Sequence, residues 1–431
     1  MAVKYTIGQV ARPLRSNLSV WNRRAYLPFA ASFFIMLLLT MPVSSAGAKN
    51  LFVDVAGVRG RCSDSVPYAD NVQARPWCTI QRAADIVKPG DTVIVENGTY
   101  TSMGSKNYMV YLTRGGTLSA WITFKAANKW GAVLDGGSQG QVEHGPNNFG
   151  WMVGAGSASY IRIEGFEIKN FAYGGIGTEI GATGTNMVFY GNNIHDIGRY
   201  FLTSIECSGD PSNGRSGMGS GSSASYITVD SNIIYNIGRF PGGSCSGWSD
   251  YNSDHGLYIQ ASHVTVINNI FYNCTSGWPI QITSDGAKAI TDWNVVNNTF
   301  YGANPREDGH IILWGIEKDI TIANNVSYGS QGYFINSHWQ HKSKTNIYII
   351  NNLVYGANVL DQGGSEYHLS NNITGKDPLF ADLAKKDFHL RSGSPAIDKG
   401  SPRDAPSYDN DHNIRPQGLA YDIGAYEYMG K

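Results

Sequence analysis

Residues 264–272 read Val264-Thr265-Val266-Ile267-Asn268-Asn269-Ile270-Phe271-Tyr272. Four strand formers in alternation lead into an asparagine pair, and an apolar residue with aromatics follows. The same phrase returns at residues 293–301, 320–328 and 347–355. Shorter forms stand at Asn192-Asn193-Ile194-His195 and Ser231-Asn232-Ile233-Ile234-Tyr235, and a last one, Asn371-Asn372-Ile373, lacks the aromatic. With the second asparagine of each pair as the marker, from Asn193 to Asn372, the steps are 39, 37, 29, 27, 27 and 20 residues. Gly165 stands where an earlier asparagine would be. A period of about 20 to 40 residues made only of strands and turns is the mark of a solenoid, whose units cannot bury a core singly. No helical 3.6-residue period alternates with these strands. The expected fold is therefore all-β: a single-stranded right-handed parallel β-helix. Asparagine tolerates the left-handed turn conformation, and its amide can bond to the copies above and below, so the pairs are expected to form ladders.

Composition agrees with this reading. Of 431 residues 42% are hydrophobic and 12% aromatic, too many for a disordered chain, and 16% are charged against about 25% in an ordinary soluble domain. There are 51 glycines, and the 35 asparagines outnumber the 33 lysines and arginines together. A net charge of −1 argues against a basic nucleic-acid binder. The ends differ from the middle, as solenoid ends must. Thr79-Ile80-Gln81-Arg82-Ala83-Ala84-Asp85-Ile86-Val87 reads as a capping helix with Thr79 as N-cap and Pro89-Gly90 behind it. Residues 377–431 carry no repeat and are expected to be an irregular closing tail.

Residues 1–48 read as a signal peptide. Five basic residues precede the apolar run 29–39, and Ala46-Gly47-Ala48 makes a cleavage site. The run is shorter than the roughly 20 residues a spanning helix needs. The chain is expected to be secreted or periplasmic, not stably inserted in a membrane, and monomeric. Removing five of the 33 basic residues and none of the 34 acidic ones leaves a net charge of −6. Residues 49–376 would form the capped β-helix. Export permits disulfides. Cys62 with Cys78 is the first expected pair and Cys207 with Cys245 the second, which leaves Cys274 as a buried thiol.

Residues 77–84, Pro89-Gly90-Asp91-Thr92-Val93 and Gly98-Thr99-Tyr100 together resemble the opening of secreted bacterial β-helix proteins, and residues 377–428 resemble their closing segment. With the repeats, this resemblance to the pectate-lyase-like superfamily covers most of the chain after residue 48. That superfamily includes alginate lyases, chondroitinase B, mannuronan epimerases and some glycoside hydrolases. The resemblance implies a groove for a polysaccharide, expected to be acidic, along one sheet. Many epimerases of the group carry Tyr, two residues, Asp, Pro, His, with the Tyr, Asp and His in the reaction. Tyr251, Asp254 and His255 follow that order without the proline.

The two longest steps leave about ten extra residues of loop per turn, and long loops on a rigid repeat are where binding residues gather. The segment Ser249 to Gln260 ends in a strand whose Leu257 and Ile259 should face inward and Tyr258 and Gln260 outward. Tyr251, Asp254, His255 and Tyr258 supply charge, a proton acceptor and a proton donor within eight residues, and are the expected catalytic group. Substrate contacts are expected from Glu179, Arg215, Gln260, Gln281, His310, Trp314 and His338, with Arg215 suited to grip a carboxylate bidentately. Arg199 and Arg239, each following Ile-Gly, read as structural. No phosphate loop, nucleophile elbow or metal-binding Cys/His spacing is present. No cofactor is assigned. Calcium is the alternative charge neutraliser, with Asp250, Asp254 or Glu206 as oxygen ligands, although no calcium-loop motif accompanies them.

The expected activity is β-elimination on a uronate-containing polysaccharide. Epimerisation shares its first proton step, hydrolysis would need two carboxylates about 5 to 9.5 Å apart, and a non-catalytic glycan-binding surface is the reading outside enzymes.

Overall fold

The computed structural model describes residues 47–55, 62–101, 108–137, 149–154, 156, 158–179, 181–199, 214–239, 253–274, 276–284, 288–302, 309–337, 343–403 and 405–430. Among them the chain winds as a right-handed parallel β-helix. Each coil lays one strand in each of three sheets, as Ser216–Ser220, Ser225–Asp230 and Ile233–Ile237 do. The three sheets hold nine, eleven and ten strands, with neighbours parallel. Alternation works as read. Along the nine-stranded sheet Val110, Trp151, Ile176, Met218, Leu257, Ile280 and Ile311 line up in register and are buried. Val264 and Val266 of the eleven-stranded sheet, and Ile234, Phe271 and Phe300 of the ten-stranded one, close the same core.

The asparagine ladder forms, with one shift of register. Asn192, Asn232, Asn269, Asn298, Asn325, Asn352 and Asn372 are its rungs. The backbone N–H and Nδ2 of each donate to Oδ1 of the next at 2.8–3.1 Å. Nδ2 also reaches a carbonyl of the preceding coil, as from Asn298 to Val266. The residue before each rung takes positive φ: Ser231, Asn268, Asn297, Asn324, Asn351 and Asn371. In the first of these coils Gly191 (φ +64°) holds that place. The rung is therefore Asn192, and Asn193 begins the next strand opposite Ile233. The marker Asn193 was one residue late. Gly165 (φ +78°) matches Gly191, not a rung, and the rung position falls to Phe166, whose N–H bonds Asn192 Oδ1.

The capping helix spans Ile80–Ile86, with the Thr79 side chain accepting from Arg82 N–H and with Ile80, Ala83 and Ala84 buried. Asp64 holds the turn before it by accepting from Cys78 N–H, Thr79 N–H and the Thr79 hydroxyl. Cys62 and Cys78 form a disulfide and Cys274 is a free buried thiol. Cys207 and Cys245 lie outside the described residues. No described helix is long and apolar enough to cross a membrane.

The tail is irregular except for an antiparallel hairpin, Phe380–Asp382 with Asp387–Leu390. It folds back over the outer face of the ten-stranded sheet. There Ile270, Val326 and Leu353 form a second apolar cluster with Phe380, Phe388, Ile423 and Ala425, flanked by Tyr272, Tyr301, Tyr328 and Tyr355. Four left-handed asparagines donate to tail carbonyls: Asn268 to Tyr408, Asn297 to Asp422, Asn324 to Ser401 and Asn351 to Lys399.

Candidate active site

The outward face of the nine-stranded sheet carries a cleft of about 890 Å³, within the usual size of ligand sites. Two rows of side chains in register explain its shape. One row runs Tyr108, Phe149, Gly174, Ser216, His255. The other runs Tyr111, Met152, Gly177, Gly219, Tyr258, Gln281, Ile312. Both rows are bulky at their ends and carry only glycine or serine in the middle, over Gly174–Thr178 and Ser216–Ser220, with the Phe149 ring lying across Gly174. The result is a trough with an aromatic wall (Tyr108, Phe149, Tyr173) on one side and His255, Tyr258, Gln260 and Trp278 on the other.

His255 opens its strand and is 2% exposed. Its Nδ1 accepts the backbone N–H of Trp278 at 3.1 Å. A backbone N–H can only donate, so the ring proton sits on Nε2. Burial lowers its pKa to about 4 against the opposing charge of Asp254, so the ring is neutral at physiological pH. The ring stacks on Tyr258 and Trp278, with centroids 5.5 and 5.9 Å away. The Tyr258 hydroxyl lies 3.5 Å from Gln260 Nε2.

Arg215 lines the trough yet is 2% exposed, with its guanidinium 3.9 Å above the Tyr173 ring. Its carbonyl accepts the N–H of His255 at 2.8 Å, which ties the two cleft residues across adjacent strands. Glu179 accepts the Tyr111 hydroxyl at 2.6 Å and lines the opposite corner. It is the one carboxylate among the described residues that line the cleft.

Glu179, Arg215, His255, Tyr258, Gln260, Gln281 and Trp314 thus meet in one cleft. Asp254 does not face it. The residue is wholly buried and accepts hydrogen bonds from the backbone N–H groups of Arg215 and Arg239, each at 2.8 Å, and from the Arg239 guanidinium at 3.0 and 2.7 Å. A buried carboxylate needs such a set of donors, and with both oxygens committed it does not fit the role of calcium ligand. Arg239 is its structural counter-ion, as its place after Ile-Gly implied. His310 lies inside the coil rather than in the groove. Its Nε2 bonds the Gly302 carbonyl and its Nδ1 meets the Ser327 hydroxyl, between the rings of Phe300 and Phe334. The next strand begins Ile311-Ile312-Leu313, all buried, so no alternation marked which way His310 turns. Tyr251, His338, Asp250 and Glu206 lie outside the described residues.

Sequence reasoning missed the aromatic wall, Trp278 and the glycine floor. Tyr108, Phe149 and Tyr173 sit in or beside coils that lack the asparagine pair, so nothing set their register. The floor was visible as Gly174-Gly175-Ile176-Gly177 and Gly217-Met218-Gly219 on successive coils.

No family profile matches the chain, and no curated protein matches it in sequence. Solved structures do match in shape. A crystal structure of the pectate lyase Pel9A aligns at 16% identity over 89% of this chain and 97% of that one, with a TM-score of 0.54. An alginate lyase from Paenibacillus sp. FPU-7 aligns at 17% identity over 76% and 95%, with a TM-score of 0.41. The A-module of the mannuronan C-5 epimerase of Azotobacter vinelandii aligns at 13% over 66% and 87%, also at 0.41. The first of these establishes the shared architecture, the parallel β-helix of pectate lyases.

Proposed function

We propose that the chain is an exported carbohydrate-active enzyme, a polysaccharide lyase that cleaves a uronate-containing chain by β-elimination. The observation that carries this reading is the meeting of a guanidinium, a neutral imidazole with its proton on Nε2 and a phenol in a trough with one carboxylate among its described lining residues. Hydrolysis with two carboxylates finds less support in that set.

In this mechanism Arg215 and the Nε2–H of His255 bind the substrate carboxylate. They stabilise the negative charge that builds on it when the neighbouring carbon loses its proton. The Tyr258 oxygen, as phenolate, accepts that proton. The freed electron pair forms the carbon–carbon double bond, the bond to the glycosidic oxygen breaks, and the phenol returns a proton to that oxygen. No water is consumed. Trp314, Gln260 and Gln281 contact the sugars that flank the reacting one, and Asp254 acts from below through Arg215 and His255. The fixed tautomer suits His255 to donate, and so makes it a neutraliser rather than the base.

The test is incubation with alginate, pectate, glucuronan and chondroitin while ultraviolet absorbance of an unsaturated uronate and new reducing ends are followed together. Both should rise on one of the polymers. Reducing ends without absorbance would show hydrolysis, and a changed uronate configuration at constant chain length would show epimerisation. Either result would displace elimination.

A further inference from the structure

Glycines on the cleft sheet fall into two sets. Gly150, Gly175, Gly217 and Gly256 stand side by side on successive strands. A Cβ built on Gly150 would come 2.8 Å from the Gly175 carbonyl oxygen, on Gly175 2.6 Å from that of Gly217, on Gly217 2.7 Å from that of Gly256, and on Gly256 2.5 Å from that of Pro279. Backbone lies in the way, so the close approach of the coils demands these four glycines. Gly177 and Gly219 differ. A Cβ on Gly177 would meet side chains and no backbone: the Phe149 ring at 3.0 and 3.3 Å and Met152 Cε at 3.2 Å. One on Gly219 would meet the Ser216 hydroxyl at 3.0 Å and the Tyr258 carbonyl at 3.4 Å. Neither glycine has a positive φ. At neither place does backbone stand closer than 3.4 Å, so a side chain there asks neighbouring side chains to give by a few tenths of an ångström rather than the coils to part.

Glycine inside a strand weakens it, and where no bulge or bend explains it, glycine marks a place where a ligand comes close to backbone. Gly177 and Gly219 are partners in register in the lining of the trough, between Met152 on one side and Tyr258 on the other. Three strand spacings of about 4.8 Å separate those two positions, with only glycine in the row between them. His255, Tyr258 and Arg215 border the same space.

We propose that Gly177 and Gly219 are specificity-determining residues: they let the pyranose ring at the reacting position lie directly on the backbone of strands Gly174–Thr178 and Ser216–Ser220, with Phe149 and Met152 against its edge. The proposal rests on the reading of the cleft as a polysaccharide site. A side chain at either position would lift the ring away from His255 and Tyr258. Substrate affinity and turnover would both fall, while the fold would stay intact.

The experiment compares wild type with Gly219→Ala, Gly219→Val and Gly177→Ala, in kcat/KM on the polymer the wild type degrades, in affinity for its oligosaccharides and in melting temperature. Expected is a graded loss in kcat/KM, about tenfold or less for alanine and about a hundredfold for valine, with melting temperature equal to or above wild type. Gly217→Ala serves as the contrast and should lower the melting temperature. A Gly219→Val protein that keeps wild-type kcat/KM overturns this inference and leaves the cleft reading standing. If wild type degrades none of the four polymers but binds their oligosaccharides, equal affinity of Gly219→Val overturns it in the same way. If wild type neither degrades nor binds any of them, the cleft reading falls and the inference with it.

Discussion

The backbone N–H of Trp278 donates to Nδ1 of His255, one coil away, and thereby decides which nitrogen of the ring carries the proton. A main-chain donor cannot be turned around, so the tautomer is set by the stacking of coils and not by solvent. His255→Ala should lower kcat about 10²- to 10³-fold, the usual loss for one donor that stabilises developing charge. His255→Gln, whose amide can still donate, should recover part of it. Steady-state kinetics on the cleaved polymer, with circular dichroism as the check on folding, measure both.

Asp254 should behave as a buried anchor. Asp254→Ala leaves the Arg239 guanidinium without its carboxylate inside the protein, and breaking a buried pair in this way costs about 3 to 5 kcal/mol. Asp254→Asn keeps the shape and one acceptor, and should cost less while still loosening Arg215 and His255. Urea denaturation gives the stability differences. In the asparagine variant kcat should fall more than KM rises.

The asparagine ladder should be stiffest in the middle. Asn298→Ala removes the acceptor for two N–H groups of Asn269 and a donor to Asn325 and Val266, all buried. The expected cost is about 2 kcal/mol or more. Asn372→Ala, at the half-buried last rung, should cost less than half as much. A reversed order in chemical denaturation would mean that the ladder is not cooperative.

Stability should fall on both sides of neutrality. Burial holds His255 and His310 at a pKa of about 4, against about 6.5 in the unfolded chain. Between these values the unfolded chain takes up protons that the folded one refuses, so stability drops as pH falls from about 6.5 towards 4. Asp422, raised to about 6 by burial, opposes part of this loss. His389 works in the other direction. Its bonds to Asp411 and Asp387 raise it to about 9, so its contribution is complete below about pH 6.5 and is lost as pH rises through 9. Partial exposure keeps that contribution small. Melting curves across this range should show a broad maximum. His310→Gln should flatten the acid limb, and His389→Ala the alkaline one.

The repeat made most of this architecture readable. Once Leu257 and Ile259 were placed inward, Tyr258 and Gln260 had to face out, and the neighbouring coil put Gln281 beside Tyr258. Thr79, a β-region residue with a hydroxyl before a helical run, announced its helix. What escaped were facts of pairing at a distance. Nothing near Asp254 in sequence says that a guanidinium 15 residues away will bury itself on the carboxylate. Asn192 and Asn193 look alike, and only Gly191 decides which of them is the rung. The aromatic wall belongs to coils whose turns use other residues, so its register could not be counted from the repeat.

The tail's four bonds to Asn268, Asn297, Asn324 and Asn351 also make it a gauge of length. Adding or deleting a whole coil between Asn268 and Asn351 would carry those amides about 4.8 Å out of step with the carbonyls that receive them, and would uncover the tyrosines beneath. An insertion confined to the connections on the cleft side leaves that spacing untouched. The number of coils is thereby tied to the strap on the ten-stranded sheet, whereas the connections that lead into the nine-stranded sheet carry no such constraint on their length.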